Sequence, residues 1–224
     1  MLSILFGLSS ALSWGAGDFT GGIAARKTGA YRAVFYAEVI GIFVLFFVIM
    51  IFGESIPNGR TWFFVVLAGV MGTIGLILLY HSMTLGLMSI VAPVSALLAA
   101  ALPVVVGIFR EGFPEWMTFT GFGFALFAVW MISQGEGGIK DIFSHLSDLK
   151  LPLLAGVGFG LYFVLMHEAT NTGATIWPMV ASRSGGLAVV TAYMLITRSS
   201  WKVEDSSAWP IITMNGILDI SGNV

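Results

Sequence analysis

The sequence contains no cysteine, which excludes disulfides, thiolate metal sites and a cysteine nucleophile, and leaves the redox compartment open. Charge is scarce too: 10% of residues are Asp, Glu, Lys or Arg, against about 25% in a soluble domain. Between residues 61 and 109 there is none at all. The Lys and Arg residues are scattered and the formal net charge is −2, so the basic footprint needed for nucleic acid is missing. The histidines are His81, His145 and His167, dispersed without metal-ligand spacing. No metal, no cofactor and no nucleic-acid partner are expected. Residues 1–17 are apolar but lack the basic start of a secretory signal and run on past its length, so they read as a first membrane span.

What the chain has is apolar length. Hydrophobic residues make up 57% of it, and its mean hydropathy is +0.94. A membrane span takes about 20 such residues. Apolar runs between polar breaks give seven full spans, at 2–25, 33–53, 61–80, 88–109, 116–133, 151–166 and 174–197, with an eighth starting near Trp209. Backbone exposed to lipid must satisfy its own hydrogen bonds, and nothing here alternates apolar and polar as barrel strands do, so the spans are helices. The fold class expected is an all-α integral membrane protein with the lipid bilayer as its solvent. The breaks carry turn chemistry: Lys27-Thr-Gly29, Pro57-Asn-Gly59, Glu111-Gly-Phe-Pro114 and Gly135-Glu-Gly-Gly138.

The longest polar stretch, 135–150, divides the chain, and three stretches recur across it in the same order. Gly7 and Leu12 match Gly156 and Leu161, 149 residues on. Thr28-Gly-Ala30, Ala37 and Gly41 match Thr172-Gly-Ala174, Ala181 and Gly185 at 144, and Trp62, Gly69 and Gly75 match Trp209, Gly216 and Gly222 at 147. One copy holds five spans, an odd number, so the second copy must lie upside down. The expectation is an inverted repeat of five-helix bundles, five plus five, here truncated within the eighth transmembrane helix. The first repeat covers 1–134, a polar linker 135–150, and a partial second repeat 151–224; the copy of 85–133 is missing. Inverted repeats of this kind place a solute site at the repeat interface of secondary transporters.

Ionisable side chains within spans cost roughly 2.5–3.5 kcal/mol on insertion scales, so each is a functional candidate. Four stand out: Asp18, Glu38, Arg183 and Asp219. Asp18, eight residues before Arg26, suits either a hydrated interface or a cavity mouth. Glu38 aligns with Ser182, beside Arg183, so a pseudo-two-fold axis can bring Glu38 and Arg183 together, where the guanidinium would keep the carboxylate ionised. The competing reading has each snorkel separately, or Glu38 protonated. Asp219 and Asn223, four apart, share a helix face beside Gly216 and Gly222, suited to a solute path or to helix packing. Tyr80-His81 closes the third span, where Tyr80 fits the interfacial aromatic belt as well as a site. Pro93, Pro103 and Pro178 can kink spans and free carbonyls. Gly17/Gly21 and Gly156/Gly160 have the spacing of close helix packing.

Leu12-Ser-Trp-Gly15 leading to Asp18-Phe-Thr-Gly-Gly22, and Val91-Ala-Pro93 followed by Leu102-Pro103, resemble the drug/metabolite transporter superfamily and, within it, the EamA family of ten-span carriers. Arg110-Glu111 resembles that family's Gly-Glu ending of span four, with Arg in place of Gly, and Gly216-Ile-Leu-Asp-Ile-Ser-Gly-Asn223 is similar to the third span of its repeat. The resemblance adds Trp14 and Pro93 to the substrate-path candidates. It implies a secondary carrier of small organic metabolites, among them amino acids and related solutes, working outward by alternating access in a prokaryotic inner membrane. Asp18 or Glu38 could then couple a proton or counter-solute. Two rivals remain. A lipid-acting enzyme would need a cluster of His, carboxylates or a nucleophile with its base, which is missing; a non-transporting scaffold or truncated remnant follows if the chain ends inside span eight. The positive-inside count sets Arg26, Lys27, Arg32, Lys140, Lys150, Arg198 and Lys202 against Arg60 and Arg110, favouring an external N-terminus, whereas the family resemblance implies a cytoplasmic one.

Overall fold

The computed structural model describes residues 2–56, 62–85, 88–133, 149–170 and 174–223. The turns expected at Pro57-Asn-Gly59 and Gly135-Glu-Gly-Gly138, nearly all of the 135–150 linker and His145 lie outside the described residues. Among the described residues there are helices and no strand. They are α1 (Leu2–Thr28), α2 (Ala30–Phe52), α3 (Trp62–Thr84), α4 (Met88–Glu111), α5 (Trp116–Ser133), α6 (Lys150–Thr170), α7 (Ile176–Ile196) and α8 (Trp209–Ser221), with one 3-10 turn (Ser206–Ala208) ahead of α8. Three glycines of positive φ mark breaks: Gly29 (φ 90°) separates α1 from α2, Gly53 (φ 63°) ends α2 and Gly112 (φ 92°) follows α4.

Among the described residues, five stretches are both long and apolar enough to cross a membrane: Ala30–Phe52, Trp62–Thr84, Ile90–Glu111, Lys150–His167 and Ile176–Ile196. Of the other helices, α1 has 27 residues but is diluted by serines, glycines and Asp18, and α5 carries an apolar stretch at Trp116–Ala128.

The outside of the bundle is apolar, as a bilayer demands, and polar side chains are found among the buried ones. Phe43, Phe47, Met50, Phe109 and Ile196 are exposed, while Glu38, Thr73, Ser95, Ser182 and Asn215 are buried. This surface and the five long apolar helices make it an integral, multi-pass membrane protein. α3 sits centrally, packed on α6 and α7 and touching α1, α2 and α4; α8 lies against α1 and α2, α7 against α2, and α4 between α6 and α5.

Lipid gives no hydrophobic drive to bring helices together, so small residues that admit close backbone contact do that work. Gly69 of α3 lies against the Ser182 carbonyl of α7, and a Cβ there would collide with it. Gly156 and Gly160 fit against Ser95, Leu98 and Leu102 of α4; Gly17 and Gly21 fit against Asp219 and Asn215 of α8, with Tyr80 also on Gly21.

Polar contacts fasten the two ends of the bundle. At one end Lys27 pairs with Asp205 at 3.1 Å, the Arg32 guanidinium donates to the Ser200 carbonyl at 2.7 Å and the Tyr36 hydroxyl to the Trp201 carbonyl at 2.8 Å. Hydrogen bonds from Ser207, then the Lys27 ammonium, hold the Asp205 carboxyl down at about 2. At the other end, Thr175 makes no side-chain cap for α7. Glu54 caps it instead, accepting from the backbone N–H of Thr175 at 2.7 Å and of Ile176 and Trp177 at 2.9 Å. A carboxylate there meets the positive end of the helix dipole.

Candidate functional site

A cavity of about 510 Å³ opens within the bundle, lined by residues of α1, α2, α3, α4, α6, α7 and α8. Its charged wall comes from Asp18 of α1, Glu38 of α2, Arg183 of α7 and Asp219 of α8. Arg183 ties three helices together. Its Nη1 donates to Glu38 Oε2 at 3.0 Å and its Nη2 to Asp219 Oδ2. The other Glu38 oxygen accepts from Thr73 Oγ1 of α3 at 2.8 Å. A fork of N–H donors between two carboxylates is the geometry in which arginine exceeds lysine. Each oxygen of the buried Glu38 therefore has a donor, which offsets part of the cost of burying it.

Around this core the wall is aromatic and small. Trp14 and Phe163 meet at 5.5 Å between ring centroids, and Tyr162 stands edge-on to Phe163 at 5.3 Å. Phe159 joins them on the α6 side, and Gly69 and Gly72 give α3 a thin face there. The Tyr162 hydroxyl donates to Asn223 Oδ1 at 3.2 Å, and Asn223 Nδ2 donates to the Asp219 carbonyl at 2.7 Å, so Asn223 anchors the end of α8 to α6. Pro93 of α4 borders the cavity near Ser95, whose hydroxyl donates to the Pro152 carbonyl at 2.9 Å.

Of the residues singled out in the sequence, Trp14, Asp18, Glu38, Pro93, Arg183, Asp219 and Asn223 come together on this one cavity. Tyr80 and His81 do not. Tyr80 is fully buried, belonging neither to an interfacial belt nor to the cavity wall: it packs over Gly21, and its hydroxyl is paired with the Asn215 amide of α8 at 2.9 Å. His81, one residue and about 100° further round α3, is exposed on the outside. Thr73, Ser182, Tyr162 and the α6 phenylalanines escaped the sequence reading. A hydroxyl midway through the charge-free run at 61–109 was the available signal for Thr73, whereas nothing marked Phe159 and Phe163 apart from lipid-facing rings.

Among the described residues no cluster of three His, Cys, Asp or Glu is arranged to hold a metal ion. The chemistry on offer is recognition: charge and ring faces inside a bundle whose outside is apolar. The EamA-like transporter family model matches residues 1–134 of the sequence. None of the curated proteins matches it.

Proposed function

The chain belongs to the EamA-like transporter family, and from that premise we propose that it is a secondary transporter. It carries small organic metabolites across a prokaryotic inner membrane, outward, by alternating access at the cavity bounded by Glu38, Arg183 and Asp219. The observation that carries this reading is the charged network itself. Three ionisable groups buried among apolar helices are expensive to maintain, and in membrane proteins such groups face solute and ion paths. The family is one of transporters, not enzymes.

The five-plus-five inverted repeat, with its first copy at 1–134, a linker at 135–150 and the second from 151, belongs to the same proposal. Three features support it. Exchanging α1, α2 and α3 with α6, α7 and α8 turns the α3–α6 contact into α8–α1 and the α3–α7 contact into α8–α2, and all four are present. Trp14 and Phe163, equivalent at the 149-residue spacing of Gly7 and Gly156, touch each other, as two copies of one position do beside a two-fold axis. Gly69 lies against Ser182, and its counterpart Gly216 lies against Ala37 and Ile40, the neighbourhood of Glu38, the counterpart of Ser182. With such a repeat, rocking one half against the other would expose the cavity to each side in turn. A proton or a counter-solute at Asp18 or Glu38 would drive it.

Comparing the metabolites retained and excreted by cells with and without the gene tests the reading. A set of small solutes retained without the gene and released with it is expected. Identical profiles, with the protein present in the membrane, would overturn it.

A further inference from the structure

The charges of the cavity are unequal. Three carboxyl groups, Asp18, Glu38 and Asp219, face one guanidinium. Arg183 is already engaged on both arms, by Glu38 and by Asp219, so its charge is offset by two protein carboxylates before any solute arrives. Among the described residues no Lys or His lines the cavity. An anionic or zwitterionic solute would bring a further carboxylate into a site where three carboxyl groups already outnumber the one guanidinium. Asp18 is the opposite case: it lines the same cavity and, among the described residues, makes no hydrogen bond and no ion pair. A carboxyl group left unpartnered among apolar walls is costly until a positive charge meets it. The remaining walls suit such a charge. Trp14, Phe159, Tyr162 and Phe163 line the cavity, and ring faces attract organic cations. The volume, about 510 Å³, is that of a site for one small organic molecule.

Building on the transporter reading above, we infer that the solute is an organic cation: an amine, protonated or quaternary, on an apolar or aromatic body and without a carboxylate. Its ammonium sits at Asp18 and its body lies against the Trp14, Phe159 and Phe163 rings. Arg183 then serves to fix Glu38 and Asp219, and with them α2 and α8, and makes no contact with the solute's charge. This narrows the metabolites from amino acids to the corresponding amines.

Three probes sharing one indole body separate the possibilities: tryptamine (cationic), tryptophan (zwitterionic) and tryptophol (neutral). Binding of each is measured by calorimetry on the purified full chain, and flux in proteoliposomes. Tryptamine is expected to bind at least tenfold tighter than tryptophan and tryptophol, and to be the one transported. Asp18→Asn should remove at least tenfold of the tryptamine affinity while leaving tryptophol binding and the unfolding temperature unchanged. Asp18→Glu should restore most of the loss. Tryptophan binding as tightly as tryptamine would overturn the inference by showing a free site for carboxylate. Tryptophol binding as tightly would overturn it by showing that Asp18 is already neutralised by a proton. In either of those cases flux of some probe would leave the transporter reading intact; absence of both binding and flux for all three would overturn that reading and this inference with it.

Discussion

Arg183 and Glu38 lie 145 positions apart in the chain, in α7 and α2, yet Arg183 Nη1 donates to Glu38 Oε2 at 3.0 Å inside the bundle. The second arm of the same guanidinium holds Asp219 of α8. One side chain thus joins three helices, and its removal has a definite sign. Arg183→Gln leaves two carboxylates facing each other without their cation, and breaking a buried pair in this way costs about 3–5 kcal/mol. Glu38→Gln keeps one acceptor oxygen, for Arg183, and turns its NH2 to the Thr73 hydroxyl, which can accept, so it costs less. Thermal unfolding in detergent should order the three proteins as wild type, then Glu38→Gln, then Arg183→Gln.

Close packing at Gly69 makes a second expectation. Gly69→Ala drives a methyl group into the Ser182 carbonyl, so α3 and α7 must separate; overpacking of this kind costs about 1–3 kcal/mol. Gly121→Ala in α5 is the matched control, since nothing lies within 4 Å of a Cβ built there. The first variant should unfold at lower temperature than wild type and the second should not.

Glu54 caps a helix that is far from it in sequence. Glu54→Ala frees the N–H groups of Thr175, Ile176 and Trp177 at the start of α7, and the loss of a cap costs about 0.5–2 kcal/mol. Hydrogen exchange should rise at those three amides and stay unchanged in the middle of α7.

The contact at the opposite end is pH-sensitive in one direction. Asp205 sits at about 2 instead of 3.8 because of its hydrogen bonds to Ser207 and its ion pair with Lys27. Its folded value is the lower one, so the stability it contributes is complete above about pH 4 and disappears as pH falls through the folded value. The group is exposed and the effect is small. The difference in unfolding temperature between wild type and Asp205→Asn should therefore hold constant from pH 8 to 5 and close between pH 4 and 2.

The spans, the break at Gly29 and the packing glycines were legible because each is written locally, in apolar length, turn chemistry or four-residue spacing. Glu38 and Arg183 could be set side by side only through the internal match that aligned Glu38 with Ser182. That match concerned only the positions of Glu38 and Ser182, so it was silent on Asp219, which reaches Arg183 from α8. Tyr80 and His81 were read as one feature, whereas the helix turns them to different surroundings, and the deciding partner, Asn215, is 135 residues away. The Glu54 cap was invisible for the same reason: a carboxylate in a loop has no local mark that says which helix it will meet.

The chain's lack of cysteine makes the alternating-access claim directly measurable. Ala96→Cys places a single thiol on the cavity wall, and Phe47→Cys places one on the lipid-facing side of α2. Each is treated with a membrane-impermeant thiol reagent in right-side-out and in inside-out vesicles. The account predicts that Ala96→Cys is labelled from both faces and Phe47→Cys from neither. Labelling of Ala96→Cys from one face alone, or from none, would contradict a cavity that opens to each side in turn.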